Sequence, residues 1–182
     1  MDIVVVDSLE DTREYPILLE GISDASTTFL YNPTHQAVRD MMSSHMCTDT
    51  LFFGHGTANG ILNEDFTGRV LDRTDATSGL LAQRKIIGIW CYAAEYADEH
   101  KLHGFFTSMF ISNIREAREH RINAGEAEVR NEFKLFLSRL NYLIKTGEPM
   151  ENWVDRLKSE AMANGTPSEL VRFNYEGLTY FE

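Results

Sequence analysis

Leu51-Phe52-Phe53-Gly54-His55-Gly56 and, further along, Lys85-Ile86-Ile87-Gly88-Ile89-Trp90-Cys91-Tyr92-Ala93-Ala94 are the stretches whose reading decides the fold. Each is a short apolar run that stops at small or turn-forming residues, the pattern of a strand buried on both faces of a parallel sheet. Parallel α/β sheets carry their reactive groups at the carboxyl ends of strands. His55 and Cys91 are therefore expected on one edge of one sheet. An imidazole within reach of a thiol takes its proton near neutral pH, so the pair reads as a Cys-His dyad.

The rest of the chain supplies the sheet's other strands and its covering helices. Ile3 to Val6 reads as a central buried strand, followed by an acidic loop, Asp7 to Asp11, at its carboxyl end. Tyr15 to Ile22 reads as a short helix that Gly21 and Ser23 end, and Thr27 to Tyr31 as a second strand. Thr34 is placed to cap a helix over His35 to Met46, with Ala37, Val38, Met41 and Met42 as its core stripe. Ile61-Leu62 and Val70-Leu71 flank a turn-rich segment and suggest a hairpin after the His55 block. Asp75 to Ser78 reads as a capping cluster before a short helix over Gly79 to Gln83. Ala93, Ala94 and Ala97 suit a helix from Tyr92 to Glu99 packed closely on the sheet, and Gly104 to Ser112 reads as a further strand beside that of Cys91. A helix is also expected over Ile114 to Ile122.

From Glu126 to Lys145 the apolar residues Val129, Phe133, Phe136, Leu137, Leu140, Leu143 and Ile144 recur three and four apart, which predicts a long amphipathic helix ended by Gly147. Pro149 opens another, with Trp153, Leu157 and Ala161 on its buried face. The tail from Leu170 to Phe181 reads as a hairpin or an edge-strand pair. The expected architecture is α/β, a three-layer α/β/α sandwich with a mostly parallel central sheet. One domain over residues 1–182 is expected, with 1–112 as the sheet core and 113–182 as helices and a terminal hairpin.

The two blocks resemble the signature of the caspase-like cysteine peptidases of clan CD, the group of caspases, gingipains, clostripain and legumain. An apolar strand ending in His-Gly precedes one ending in Cys, and the interval between them leaves room for one hairpin and one short helix, as in that clan. Caspases carry Gln-Ala-Cys-Arg-Gly at the nucleophile where this chain has Ile89-Trp90-Cys91-Tyr92-Ala93, and no Asp-rich linker follows Cys91. The resemblance is thus to a divergent, bacterial-type member. It implies a thiol protease, a cysteine endopeptidase in which Cys91 attacks the peptide carbonyl and His55 handles the proton. The backbone N–H groups of Gly56 and Cys91 would form the oxyanion hole.

Candidate substrate-binding residues are Asp7, Asn63, Glu64, Asp65 and Trp90. The acidic stretches 7 to 11 and 63 to 65 favour a basic residue at P1. The alternative is a catalytically inactive caspase-like domain that binds a protein partner through the helices of Glu126 to Ala161. A dinucleotide-binding domain is disfavoured, because no Gly-x-Gly-x-x-Gly follows Ile3 to Val6. A metal site on Glu99, His100 and His103 lacks a further ligand, so no metal and no cofactor are expected.

The chain has 17 basic and 28 acidic residues in 182, a net charge of −11. That balance opposes binding to nucleic acid or to an anionic membrane surface, both of which reward clustered Lys and Arg. The expected partner is a peptide or protein substrate. Two cysteines and an acidic, short apolar N-terminus suggest a reducing, cytoplasmic setting. Cys47 has no reactive neighbours in sequence and reads as a small buried hydrophobe.

Overall fold

The computed structural model describes residues 1–8, 12–22, 26–45, 48–163 and 165–182. The expectations for Leu9 to Asp11, Ser23, Met46 and Cys47 lie outside the described residues. Five parallel strands and one antiparallel strand form the central sheet. They are β1 (Asp2–Val5), β2 (Thr28–Tyr31), β3 (Thr50–Phe53), and, after a separate hairpin region, β7 (Lys85–Ile89), β8 (His103–Thr107) and β9 (Leu178–Phe181). Their spatial order is β2-β1-β3-β7-β8-β9, with only β9 running against its neighbour. Three short strands, β4 (Gly56–Thr57), β5 (Gly60–Leu62) and β6 (Arg69–Asp72), form a small antiparallel sheet between β3 and β7 in the chain.

Alternation along the strands divides the core. Ile3, Val5, Leu51, Phe53, Ile87, Ile89 and Phe105 face one side, where they meet α1 (Tyr15–Leu19), α6 (Glu126–Thr146), α7 (Trp153–Met162) and α8 (Glu169–Glu176). Val4, Val6, Phe52, Ile86, Trp90 and Phe106 face the other, against α2 (His35–Ser44), α4 (Ala93–His100) and the small sheet. Because both faces are covered, successive residues of β1 and β3 are all buried, and the strands read as unbroken apolar runs. Each such side chain contributes about 1.5–3 kcal/mol by leaving water. The arrangement is the expected three-layer α/β/α sandwich at the level of layers and strand direction.

The helices carry the predicted faces. Thr34 accepts from the Ala37 N–H at 3.2 Å and starts α2. Helix α6 buries Val129, Phe133, Phe136, Leu137, Leu140 and Leu143, and Gly147 ends it. Where the chain was expected to form a helix over Gly79 to Gln83, it turns instead, since Gly79 takes φ +80° just after α3 (Arg73–Thr77). The capping residue of α3 is Asp72, and Asp75 completes its capping box, so the helix begins earlier than the cluster at 75 to 78 suggested.

Two strand expectations need correction. The strand expected from Gly104 to Ser112 stops at Thr107. Beyond it the Asn174 side chain, 1 % exposed, clamps Ile111 by accepting from its N–H at 2.8 Å and donating to its carbonyl at 3.0 Å. The expected terminal hairpin is a helix followed by a strand. Leu170, Asn174 and Tyr175 share the buried face of α8, capped by Ser168, and only β9 pairs with the sheet edge at β8. The remaining helix, α5 (Ile114–Glu119), is capped by Asn113.

Candidate active site

The ladder between β3 and β7 sets Phe53 beside Ile89 in parallel register, and the Gly54 N–H extends it by donating to the Ile89 carbonyl at 3.1 Å. The chain then leaves β3 through His55 and β7 through Trp90 and Cys91. Strand parity returns Cys91 to the face of Ile89, the α6 side, and sends Trp90 to the opposite one. His55 and Cys91 consequently line one cavity of about 30 Å³, room for a water or a single carbonyl group.

The cavity's remaining walls come from distant parts of the chain. Phe53, Ile89, Phe110 and Phe133 make its apolar side, and Thr12, Thr107 and Ser112 bring hydroxyls. Cys91 is half-buried, its Sγ 3.7 Å from the Phe110 carbonyl. The buried Thr107 hydroxyl donates to the Trp90 carbonyl at 2.8 Å and fixes the backbone that carries the thiol. A second hollow of about 120 Å³ adjoins the first through Ser112 and Phe133, and continues between Glu14 and the start of α6.

Local backbone around the thiol is held away from ordinary conformations. Tyr92 sits at φ 68° and ψ 26°, left-handed for a bulky residue, immediately before α4. Such a conformation costs about 1–3 kcal/mol and persists only where the surroundings enforce it. Here they do, because Cys91 must leave the strand while Ala93, Ala94 and Ala97 press α4 onto the sheet. The start of α4 therefore lies two residues beyond Cys91.

Gly56 stands at the meeting of the two blocks. A Cβ there would lie 2.2 Å from Trp90 Cδ1 and 2.8 Å from the Gly60 carbonyl, so only glycine fits. The Leu62 N–H donates to the His55 carbonyl at 2.9 Å, which makes residues 55 and 62 the hydrogen-bonded pair of the hairpin and 56 and 61 the non-bonded one. By that alternation the Gly56 N–H turns out of the hairpin, though Gly56 itself is not among the residues lining the cavity.

The substrate-binding expectations fare differently. Trp90 is 2 % exposed, stacked edge-on against Phe52 and Tyr96, with its indole N–H donating to the Thr57 carbonyl at 3.3 Å. Its ring is a strut joining the His55 hairpin to the Cys91 strand, and Trp90 is also among the residues that line the cavity of His55 and Cys91. Asp7 does not line the cavity but supports it, since Thr12 Oγ1 donates to its carboxylate at 3.0 Å. The other Asp7 oxygen accepts from the Tyr31 hydroxyl at 2.7 Å. That hydrogen bond, with lesser contributions from burial and from the charges of Asp7 and Glu64, pushes Tyr31 up to about 12.

Asn63, Glu64 and Asp65 line a separate hollow of about 280 Å³ with Asn32 and His35. Glu64 accepts from the Asn32 amide at 2.6 Å, while Asn63 and Asp65 bond within their own loop. These groups thus brace their own loop and its tie to Asn32, and none of the three lines the cavity of His55 and Cys91. Thr12, Thr107, Phe110, Ser112 and Phe133 are cavity residues that no motif in the sequence marks.

Among the described residues, one group of ligand-type side chains comes together, His35, Asp72 and Asp75, with ligand atoms within 4.8 Å. Buried Asp75 already receives His35 Nε2 at 2.9 Å, Arg39 at 3.3 Å and the Asp72 N–H at 2.8 Å. The guanidinium occupies the charge role that a metal would take, and the group binds α2 to α3. Glu99 pairs with Arg73, and the His100 ring meets Tyr96 edge-on, so among the described residues Glu99, His100 and His103 form no such group. Among the described residues no helix is long and apolar enough to cross a membrane. No protein-family model matches the chain, and a comparison with curated proteins finds no match either.

Proposed function

We propose that this protein is a caspase-like cysteine endopeptidase acting through Cys91 and His55. The observation that carries the reading is their convergence on one cavity from the carboxyl ends of two adjacent parallel strands. Cys91 Sγ attacks the scissile carbonyl carbon as His55 takes the thiol proton. The carbonyl electrons move to the oxygen, which the N–H groups of Gly56 and Cys91 receive. Collapse of this adduct breaks the C–N bond, His55 delivers the proton to the leaving amine, and an acyl-thioester remains. His55 then deprotonates a water that attacks the thioester, and the thiol leaves with the proton returned to it. The apolar walls of Phe53, Ile89, Phe110 and Phe133 keep bulk water from the nucleophile and strengthen these charge interactions.

The test is labelling of Cys91 by peptidyl acyloxymethyl ketones with Arg, Lys, Asp or Asn at P1. Labelling of the wild type that is lost in His55→Ala supports the dyad and shows the P1 preference. A folded protein whose Cys91 resists every probe would sink the peptidase reading and favour the partner-binding domain.

A further inference from the structure

Between β5 and β6 the loop of residues 63–68 displays a phenylalanine that the core does not use. Phe66 is 42 % exposed and takes φ 61°, a left-handed conformation that Gly or Asn adopts far more readily. The loop is built to hold it there. Asn63 pairs with Gly68 through its N–H to the Gly68 carbonyl at 3.0 Å and through its side-chain oxygen from the Gly68 N–H at 2.9 Å. The Phe66 N–H donates to the Asn63 carbonyl at 3.1 Å, and the Asp65 carboxylate accepts both the N–H and the hydroxyl of Thr67. Glu64 fastens the whole loop to Asn32 beyond β2.

What this rigid loop presents is an aromatic face beside the dyad. The Phe66 ring lies 5.7 Å from the His55 ring, tilted by 51°. Its exposed side therefore adjoins the imidazole as an apolar surface next to a cavity-lining residue, Phe66 itself lying outside that lining. Solvent exposure gives a phenyl group no stability, and the left-handed backbone costs some, so what sets Phe66 apart from other exposed aromatics such as Phe29 is its place against the His55 ring.

We propose that Phe66 is a specificity residue, the wall of a subsite that takes a large apolar substrate side chain next to the scissile bond. This rests on the peptidase reading of Cys91 and His55. An extended peptide whose carbonyl sits over Cys91 must pass the imidazole, and the residue flanking that carbonyl packs on the phenyl ring. An apolar surface of this kind discriminates by burial alone, which distinguishes large from small side chains by about 10- to 200-fold.

The experiment compares kcat/KM for peptides carrying Gly, Ala, Leu or Phe immediately before or after the P1 residue, in wild type, Phe66→Ala and Phe66→Leu. The expected result is a preference of about tenfold or more for Leu or Phe at one of those positions, reduced to about twofold in Phe66→Ala and largely kept in Phe66→Leu. Alkylation of Cys91 by iodoacetamide, which needs no subsite, should keep its rate and pH profile in both variants. An unchanged preference in Phe66→Ala, or no preference in the wild type, overturns the subsite. A shifted alkylation profile in Phe66→Ala also overturns it, by making the ring a support for His55 alone. If the wild type neither turns over peptides nor is labelled by peptidyl ketones, the underlying peptidase reading has failed.

Discussion

The hydroxyl of Thr107 donates to the carbonyl of Trp90 at 2.8 Å, so the strand after that of Cys91 holds the peptide unit that presents the thiol. Both groups are buried, and Thr107 Oγ1 also lies 3.4 Å from the Gly88 carbonyl. Replacing Thr107 by Val keeps the shape and removes the donor. A buried carbonyl deprived of one partner costs about 1–3 kcal/mol, and the lower figure is expected because the Ala93 N–H also reaches the Trp90 carbonyl at 3.2 Å. Denaturant unfolding should show that loss, and iodoacetamide alkylation of Cys91 should change in rate. Unaltered alkylation would mean that the latch does not set the thiol's position.

Gly56 and Trp90 are packed too closely for any side chain at 56. Gly56→Ala forces the buried indole to move and should destabilise by about 1–3 kcal/mol, the cost of overpacking a filled core. Trp90→Leu in the same chain makes room, so the double variant should lose less than the sum of the two single losses. A strictly additive double-mutant cycle, read by urea unfolding, would place the strain elsewhere.

Arg84 and Asp2 form a buried pair, 2 % and 1 % exposed, at the far end of the sheet from His55 and Cys91. The guanidinium also donates to the carbonyls of Thr48 and His45 at 3.0 and 2.8 Å and to the Thr50 hydroxyl at 2.9 Å. Arg84→Met removes the guanidinium from Asp2 Oδ2 and from several carbonyls, while Asp2 Oδ1 keeps His45 Nδ1 at 2.9 Å. The expected loss is about 3–5 kcal/mol, measured by chemical denaturation. Asp2→Asn with Arg84→Met should recover part of it, since no uncompensated charge then remains buried.

Asp72 caps α3, and its carboxyl group is held below the ordinary carboxylate value. Partial burial acts to raise it, but the hydrogen bonds from the Thr74 side chain and N–H, with the charge of His35, outweigh that effect. A carboxylate depressed on folding contributes stability above its unfolded value, near pH 4, and loses it as pH falls through the folded value. Asp72→Ala should therefore cost about 1 kcal/mol at pH 7, and the gap from wild type in thermal melts should narrow between pH 5 and pH 2. A gap that widens on acidification would contradict this sign.

How much of this was legible follows from the range of the interactions. β1, β3 and β7 were readable because a strand buried on both faces must be apolar at every position, a signal that survives without knowledge of partners. The α6 stripe was readable for a similar reason, since its period belongs to the helix itself. The parity of β7 also contained the placement of the Trp90 ring, which alternates with Ile89 and so faces α4. The segment from Leu170 to Phe181 was misread because aromatic residues suit both helix and strand. The spacing of Leu170, Asn174 and Tyr175 held the helical answer.

For this protein, the sequence alone determined the strands that carry His55 and Cys91, the order in which they occur and the helix that follows the thiol, because those depend on local patterns of burial and turn chemistry. Only the tertiary structure decided that β3 and β7 are neighbours, that Thr12, Thr107, Phe110, Ser112 and Phe133 enclose the pair, and that Asn63, Glu64 and Asp65 stand apart from it. A cavity is made of surfaces from segments distant in the chain, and their meeting is fixed by sheet order and core packing, which no local window of residues contains.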